Sequence, residues 1–448
     1  MRILLSAFAC DPYQGSEEGV GWTWAYQLAK AGHEVCVLTR VQNRPAIERK
    51  IPELDLPNLH FEYVGVRGVP FCMPGVDIYP YYFCWQWNAY FQAKRLHRER
   101  RFEIVHHISY GVFRNPSYLY LLGIPLIFGP VGGGERSPRA LRVSMSTKGK
   151  CFEVVRDVIN LLPYFDPFWR LMLRRCTRII VKTEETRSCL PRKSMERAVV
   201  TLENMIPVCS DVTGGASRGT ALKLLFAGRL LSWKGAHLAV KAMGLALKQT
   251  TVELTIVGRG PEEARLKDEV RRLKLEDFVH FAPWMPKSEV LTLHASHDAL
   301  LFPSLHDSSG TVVMEAIAHG NPVICLDLGG PAVTVDEHCS LIVRTGGKTE
   351  EQVIQGIAEA ILDLARMPSQ KWDQMRRAAV NRARFYAPEQ VIARVYGPLL
   401  NPKPLTCEAA HESEEKNLFA TCPDRYVQPN TVRHRYSDFA WTSAVFHS

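Results

Sequence analysis

The sequence predicts an α/β protein built from two doubly wound domains of parallel sheet. Two observations support this prediction: short β-branched apolar runs alternate with amphipathic helical stretches, and the alternation occurs in two separate series. A chain of 448 residues that is 46% hydrophobic is long enough to bury two such cores. In folds of this kind, ligands bind where the carboxyl ends of the strands face a cleft.

The first series opens with a βαβ unit, in which residues 3–8 and 34–39 are strands and Gly32 closes the helix between them. Further strands of this series are predicted at residues 61–66, 103–108, 125–129 and 178–183. The second series is predicted to have strands at residues 222–228, 252–258, 279–284, 299–304 and 322–327.

The boundary between the series is predicted in the polar, glycine-rich stretch 203–223. This gives an N-terminal domain over 1–205 and a C-terminal domain over 206–385. Residues 386–400 are predicted to form a C-terminal helix that crosses back to the first domain. Residues 401–448 lose all periodicity and are predicted to be a disordered tail.

The net charge of +9 favours acidic partners, but it is too small to choose among phosphorylated ligands, anionic membranes and nucleic acid. None of the twelve cysteines lies in a CxxC pair or a Cys/His spacing suited to zinc, so no metal site is predicted. They are interpreted as reduced thiols of a cytoplasmic protein. The opening MRILLSAFAC could be a lipoprotein signal, but its apolar run is short, and a first buried strand is the favoured interpretation.

The segment LLFAGRLLSWKGAHLAVKAM carries two cations in the loop between a strand and a helix, Arg229 and Lys234. Together with main-chain N–H groups at a helix start, two such cations can bind one anion, and a diphosphate is the predicted guest. The alternative is that both are solvated loop charges.

A second candidate binding loop, ACDPYQGSEEGVGW, follows the first strand. Its glycines do not match GxGxxG, so a dinucleotide fingerprint is absent. Gly15 and Ser16 are predicted to form a flexible turn whose N–H groups approach a ligand.

The segment LHDSSGTVVMEAIAHGNPV places two carboxylates around a predicted helix start. Ser308 or Ser309 is expected to cap a helix over 310–319. Asp307 precedes the first turn, and Glu315 is expected to face the cleft beside Thr311.

Main-chain N–H groups of Ser309, Gly310 and Thr311 lie between the two acids in this segment. Two carboxylates that flank an anion-binding helix start suit a nucleotide-sugar, which has hydroxyls at both ends and phosphates in the middle. The alternative is that one acid lies on the helix surface and the other is a second capping residue.

Taken in order, the motifs GSEEGVGW, FGPVGGGE, GRLLSWKG, VGRGP and DSSGTVVME resemble those of the retaining glycosyltransferases of family 4. That family has the GT-B fold, in which two Rossmann-like domains face a cleft. The resemblance covers about residues 1–400. It implies a nucleotide-sugar as co-substrate, with no cofactor and no metal.

By this resemblance, Arg229 and Lys234 bind the donor diphosphate and the Gly15 loop closes over it. Glu315 binds the ribose, and Asp307 contacts hydroxyls of the transferred sugar. The implied mechanism retains the anomeric configuration, and a donor phosphate oxygen helps to deprotonate the acceptor. The acids are therefore expected to position the donor and not to transfer protons.

The sequence departs from the family pattern at two positions. Asp307 stands where glutamate is usual, which shortens the side chain by one methylene. The segment GPVGGG stands where many members have a histidine. His106 matches a strand-end histidine of the family and is a catalytic candidate, with a structural role as the alternative.

The expected partners are the donor, a sugar or lipid-linked acceptor and an anionic membrane surface, with no nucleic acid. The membrane expectation rests on two segments rich in aromatic and basic residues, 70–101 and 168–178. It implies a cytoplasmic protein peripheral to the inner face of the membrane, acting in polysaccharide or glycolipid synthesis. A sugar-nucleotide epimerase and a catalytically silent binding protein remain alternatives, whereas a dehydrogenase would need the missing fingerprint.

Overall fold

A computed structural model describes residues 1–66, 68, 78–206 and 221–400 of the chain. The residues Met1–Val395 form one compact unit. Within it lie two sheets in which every strand pair is parallel. The two predicted doubly wound sheets are therefore confirmed.

The first sheet has seven strands in the order β3-β2-β1-β4-β5-β6-β7. Its strands are β1 (Arg2–Ser6), β2 (Glu34–Arg40), β3 (Leu59–Val64), β4 (Ile104–His107), β5 (Leu126–Val131), β6 (Arg178–Val181) and β7 (Ala198–Val200). The second sheet has six strands in the order β10-β9-β8-β11-β12-β13. Its strands are β8 (Leu222–Ala227), β9 (Val252–Val257), β10 (Val279–Ala282), β11 (Ala299–Phe302), β12 (Val323–Leu326) and β13 (Ser340–Val343).

The helices that connect and cover the first sheet are α1 (Ser16–Lys30), α2 (Arg44–Lys50), α3 (Tyr79–Arg100), α4 (Thr147–Ile159), α5 (Pro167–Arg175), α6 (Glu184–Ser188) and α7 (Arg192–Met195). Those that follow in the chain are α8 (Ala236–Ala246), α9 (Glu263–Arg272), α10 (Lys287–Ser296), α11 (Thr311–Ala318), α12 (Gly329–Thr334), α13 (Glu350–Ala365), α14 (Ser369–Arg384) and α15 (Pro388–Leu400). A single 3₁₀ turn, Ser232–Lys234, precedes α8.

Each sheet reverses its strand order next to its first strand, at β1/β4 and at β8/β11. At such a point the loops after the two neighbouring strands diverge and leave a crevice at the carboxyl edge of the sheet. In the second sheet these loops run from Gly228 to Gly235 and from Pro303 to Gly310. They contain most of the residues that the sequence marks as donor-binding.

Each strand predicted from the sequence is present, whereas β7 and β13 were not predicted. β7 has only three residues and β13 only four, and both lie at a sheet edge, where a short segment gives little periodicity. The predicted boundary lies beside residues 207–220, which are outside the described residues, as is the predicted tail 401–448.

The two halves share apolar packing, because Leu141 and Met145 of the first half belong to the hydrophobic core around the second sheet. The chain also returns to the first half. Arg178 of β6 donates to the main-chain oxygen of Arg394 at 2.9 Å. Just after the predicted boundary, the main-chain N–H of Ile206 donates to the oxygen of Tyr386 at 3.0 Å.

Gly235 should be required for the loop that carries Lys234. Its φ is +78°, and a Cβ there would overlap the main-chain oxygen of Pro303. We expect Gly235→Ala to lower the free energy of unfolding by more than the ~1–2 kcal/mol that left-handed backbone alone costs. Gly123→Ala is the control, because Gly123 has φ +75° and open space around its Cβ position. Equal losses in urea denaturation of both variants would contradict the steric argument.

Candidate functional site

An ion pair between Lys234 and Asp307 lies at the carboxyl edge of the second sheet. Lys234 ends the 3₁₀ turn after β8, and Asp307 follows β11, the strand next to β8. The two side chains are 17% and 16% exposed, so a ligand in the crevice could reach both. The structure thus brings together a predicted diphosphate cation and a predicted sugar-binding acid.

The carboxyl group of Asp307 is held in its charged form. Burial would raise its pKa, but the ammonium group of Lys234 and main-chain N–H groups of Gly310 and Ser309 outweigh burial, so the pKa lies below its usual value. The N–H of Ser309 is 3.4 Å from Asp307 Oδ1. An ionised carboxylate accepts hydrogen bonds and has no proton to give, which fits a role in positioning hydroxyl groups.

The helix between the two acids begins at Thr311, with Gly310 as its N-cap. The prediction that Ser308 or Ser309 caps this helix was wrong. Gly310 adopts the left-handed conformation, with φ +62° and ψ +48°, and makes no side-chain cap. A Cβ on Gly310 would also lie 3.0 Å from Pro331 Cγ, so the position favours glycine.

Both serines are instead used to fasten the segment from Asp307 to Thr311, here called the acid loop, to the first half of the chain. Ser308 Oγ donates to Glu135 Oε2 at 2.6 Å, and Ser309 Oγ donates to Glu203 Oε1 at 2.5 Å. Asn204 Nδ2 donates to Thr311 Oγ1 at 3.0 Å. Three side chains of the acid loop therefore take their positions from the other half.

Glu135, the last residue of the motif FGPVGGGE, is a fully satisfied buried carboxylate. Besides Ser308, it accepts hydrogen bonds from the N–H of Gly133 at 2.9 Å and from the hydroxyls of Thr183 and Thr186, both at 2.8 Å. Burial would raise the pKa of Glu135, but the hydroxyl donors lower it by a larger amount, so the pKa lies below its usual value.

The other anchor of the acid loop, Glu203, forms a buried ion pair with Lys182. Their Nζ and Oε1 atoms are 2.7 Å apart, and each side chain is 6% exposed. Burial would lower the pKa of Lys182, but the carboxylate of Glu203 raises it above its usual value. Lys182 therefore keeps its positive charge beside this anchor.

The remaining donor-site candidates of the second half face different surroundings. Arg229 is exposed and makes no ion pair with any residue that the structure describes. Glu315 lies one turn along α11 from Thr311, is 10% exposed and pairs with Lys287, whose Nζ is 2.7 Å from Oε1. A ribose hydroxyl would therefore have to share Glu315 with Lys287.

The two remaining candidates, Gly15 and His106, belong to the first half. Gly15 is the N-cap of α1, so the predicted turn ends there and Ser16 is already helical. Its φ of −93° suits any residue, and a Cβ would meet nothing within 4 Å. His106 is 0% exposed within β4, with Nε2 2.7 Å from the oxygen of Gly129, and burial lowers its pKa to about 4. This position favours the structural alternative for His106.

A stack of rings borders the ion pair on the side of the first half. Trp233 lies between Phe152 and His306, with ring centroids 4.7 Å and 5.2 Å apart and interplanar angles of 10° and 12°. His306 Nδ1 is 3.0 Å from Glu153 Oε1 and 3.1 Å from Ser137 Oγ. Because Trp233 precedes Lys234 and His306 precedes Asp307, this stack supports both partners of the pair.

Four features of the site were not predicted from the sequence: the roles of Glu135, Glu203 and Lys182, and the Trp233 stack. Glu135 and Lys182 each follow a strand of the first sheet, and an ionisable residue at that place was the available signal. Glu203 follows β7, which was not predicted, and Phe152 lies within a helix, so neither gave this signal.

The arrangement defines a class: the chain has the GT-B glycosyltransferase fold. Over 90% of its length it is similar to a solved structure of sucrose-phosphate synthase from Thermosynechococcus elongatus, covering 100% of that chain with a TM-score of 0.61 and 17% identity. It is also similar to a solved structure of the Anabaena protein HepE in complex with UDP-glucose, with a TM-score of 0.52, 15% identity and coverage of 89% and 99%. These likenesses concern the fold.

The sequence of the second half is similar to that of known glycosyltransferases. Residues 214–384 match the model of the glycosyl transferases group 1. D-inositol 3-phosphate glycosyltransferase of Paenarthrobacter aurescens is 30% identical over 38% of this chain and 41% of its own length. A putative colanic acid biosynthesis glycosyltransferase, WcaL of Escherichia coli, is 24% identical over 61% and 68%. The chain thus spans about two fifths of the first curated relatives it matches.

Glu135 should make the protein sensitive to acid. Because its pKa is lower in the folded chain than its ordinary value of 4.5, the unfolded chain binds the proton first as the pH falls. We expect the free energy of unfolding to fall below about pH 5, and to fall less steeply in Glu135→Gln. The measurement is urea denaturation at a series of pH values. The exposed Glu99→Gln is the control and should keep the wild-type slope. A Glu135→Gln slope equal to that of the control would refute the assignment.

Proposed function

We propose that this protein is a retaining glycosyltransferase, which moves a sugar from a nucleotide-sugar to an acceptor hydroxyl without a metal ion. The observation that carries the proposal is the Lys234–Asp307 pair at the crevice between β8 and β11, with the exposed Arg229 and the start of α11 beside it. Cations and the N–H groups at a helix start suit a diphosphate, and the adjacent carboxylate suits sugar hydroxyls.

The charges of the site suit both the bound donor and the departure of the nucleoside diphosphate. Arg229 has no competing carboxylate among the described residues, so it is available to a phosphate oxygen. Lys234 has three N–H donors and can contact the diphosphate while it keeps its bond to Asp307. These two cations would stabilise the charge that develops on the leaving diphosphate.

In the proposed reaction, the bond between the anomeric carbon and the diphosphate oxygen breaks, and the acceptor oxygen bonds to the same face of that carbon. The acceptor proton passes to a phosphate oxygen of the leaving nucleoside diphosphate. Asp307 holds hydroxyls of the sugar and Glu315 holds those of the ribose. No protein acid/base pair is required, which agrees with the lowered pKa of Asp307.

The matched proteins support the same donor class and suggest a setting. The HepE structure contains UDP-glucose, and the name of WcaL refers to colanic acid biosynthesis. We therefore propose a nucleotide-sugar donor and a role in polysaccharide or glycolipid assembly, with a sugar or lipid-linked acceptor. The described cysteines are free thiols, which supports a reducing compartment such as the cytoplasm.

Replacement of Arg229 should weaken donor binding without loss of stability. Removal of one charge-assisted hydrogen bond costs about 1.5–3 kcal/mol, so we expect Arg229→Ala to bind the donor about ten- to a hundredfold more weakly. The measurement is isothermal titration calorimetry with a panel of UDP-, GDP- and ADP-sugars, with and without EDTA.

The control is Arg377→Ala, which removes an exposed arginine from α14 in the same half and should leave affinity unchanged. Lys234→Ala should also weaken binding, although it leaves Asp307 without its partner. Donor affinity that survives both Arg229→Ala and Lys234→Ala would disprove the site.

Product analysis separates the proposed reaction from its alternatives. An α-linked donor with a sugar or lipid extract should give an α-linked product, which NMR spectroscopy of the anomeric proton identifies. A β-linked product would rule out retention. An epimerised donor without acceptor would indicate an epimerase, and tight binding without turnover would indicate a silent binding protein.

A further inference from the structure

A continuous part of the first half exposes large apolar side chains. More than half of the exposed large apolar side chains of the described residues lie between Val143 and Leu171. The α4–α5 surface, as we name it, consists of Val154, Val155, Val158, Ile159, Leu161, Leu162, Phe165, Phe168 and Leu171. Phe165 is 84% exposed. Contiguous apolar surface of this kind marks an interaction site.

Helix α4 is amphipathic in the reverse of the usual sense. Its buried positions include Glu153, and Asn160 directly after the helix is also buried. Its outward side carries Val154, Val155 and Val158, each more than 50% exposed. Helices at the surface of a soluble domain normally bury the apolar side. The outward side of α4 is therefore suited to contact with an apolar partner.

The segment that forms the α4–α5 surface also carries several cations. The exposed ones are Lys148, Lys150, Arg170, Arg174 and Arg175, and none of them forms an ion pair with another described residue. Lys148 and Lys150 lie in the first turn of α4, before its exposed valines, and Arg174 and Arg175 end α5.

The acids of the same segment are already engaged. Asp157 pairs with Arg142 at 3.1 Å, and Asp166 accepts the N–H of Phe168 at 2.8 Å as the N-cap of α5. Glu153 is buried. Residues 143–175 therefore carry more positive than negative charge.

We propose that the α4–α5 surface binds the face of a lipid bilayer that contains anionic lipids. Apolar side chains enter the boundary between headgroups and acyl chains, and the surrounding lysines and arginines meet anionic headgroups. A second protein copy is a less suitable occupant, because it would bring the same unbalanced cations against their like. No helix of the described residues is long and apolar enough to span a bilayer, so α4 and α5 lie along its face.

The α4–α5 surface coincides only in part with the membrane-binding segments that the sequence predicts. Of the two segments expected at the membrane, 168–178 overlaps the α4–α5 surface. The other segment, 70–101, lies partly outside the described residues, and in α3 the rings of Tyr81, Tyr82 and Trp85 are buried in the core of the first half. The valines of α4 lie outside both of these segments.

The other side of α4 contacts the candidate donor site. Phe152 stacks on Trp233, and Glu153 lies against His306. A bilayer bound to α4 would therefore lie next to the Lys234–Asp307 pair. On the condition that the proposed transfer is correct, this geometry points to an acceptor that is itself held in the membrane, namely a lipid-linked sugar.

The test is co-sedimentation of the full chain with vesicles of phosphatidylcholine, with and without phosphatidylglycerol, at low and high salt. We expect binding to the anionic vesicles that salt weakens. Val155→Glu/Val158→Glu should lower the vesicle affinity by about tenfold or more, because each valine loses apolar burial and gains a repelled charge. Lys148→Glu/Lys150→Glu should lower it as well and leaves the apolar side chains intact.

The control is Val41→Glu/Val199→Glu, the same change at valines that are each 40% exposed elsewhere in the first half. It should bind vesicles as the wild type does. Donor affinity, measured by calorimetry, should be unchanged in all three variants. Loss of vesicle binding with intact donor binding thus separates this proposal from the proposed function.

Three results would overturn the proposal: no sedimentation of the wild type with anionic vesicles, equal binding to neutral vesicles at all salt concentrations, or equal loss in the control variant. Light scattering after size exclusion reports the other occupant. A wild-type dimer that Val155→Glu/Val158→Glu converts to monomer, without vesicle binding, would assign the surface to self-association.

Discussion

The hydrogen bonds of the acid loop to Glu135, Glu203 and Asn204 are the constraint on which the candidate site depends. β11 brings Asp307 to the crevice, but the side chains after it are held by the other half of the chain. Buried carboxylates can serve as such anchors because each is compensated: Glu135 by hydroxyl and N–H donors, Glu203 by Lys182. The candidate site is thus a property of both halves together.

This dependence explains features of the sequence that a single domain would not need. Gly132 of GPVGGGE allows the first half to approach the acid loop, since a Cβ on Gly132 would lie 2.7 Å from that of Ser308. Serines at 308 and 309 are used as donors to the opposite half and not as helix caps, because the left-handed Gly310 already starts the helix. Local capping rules failed here because the serine hydroxyls form hydrogen bonds with the other half of the chain instead of with the helix N-terminus.

The sequence predicted the fold and the loops of the second half that contain Lys234 and Asp307. The physical reasons for this also explain what the sequence could not predict. Buried parallel strands produce continuous apolar runs, and the strand-end cations and acids follow those runs directly in the chain, so Lys234 and Asp307 could be located. Their direct ion pair was not foreseen. Nor was the pairing of Glu315 with Lys287, which comes from a different helix. Contacts between segments that are distant in the chain leave no periodic signal.

Helix α4 lies between the candidate site and the α4–α5 surface, so its two sides face different surroundings. The inner side of α4 is polar, with Glu153 against His306, and its outer side carries exposed valines. Packing within one domain does not explain both sides. The inner side is satisfied by the support beneath Asp307, which requires a polar group there. The outer side exposes apolar side chains to solvent, which is unfavourable unless an apolar partner covers them. An apolar partner next to the candidate site accounts for the outer side.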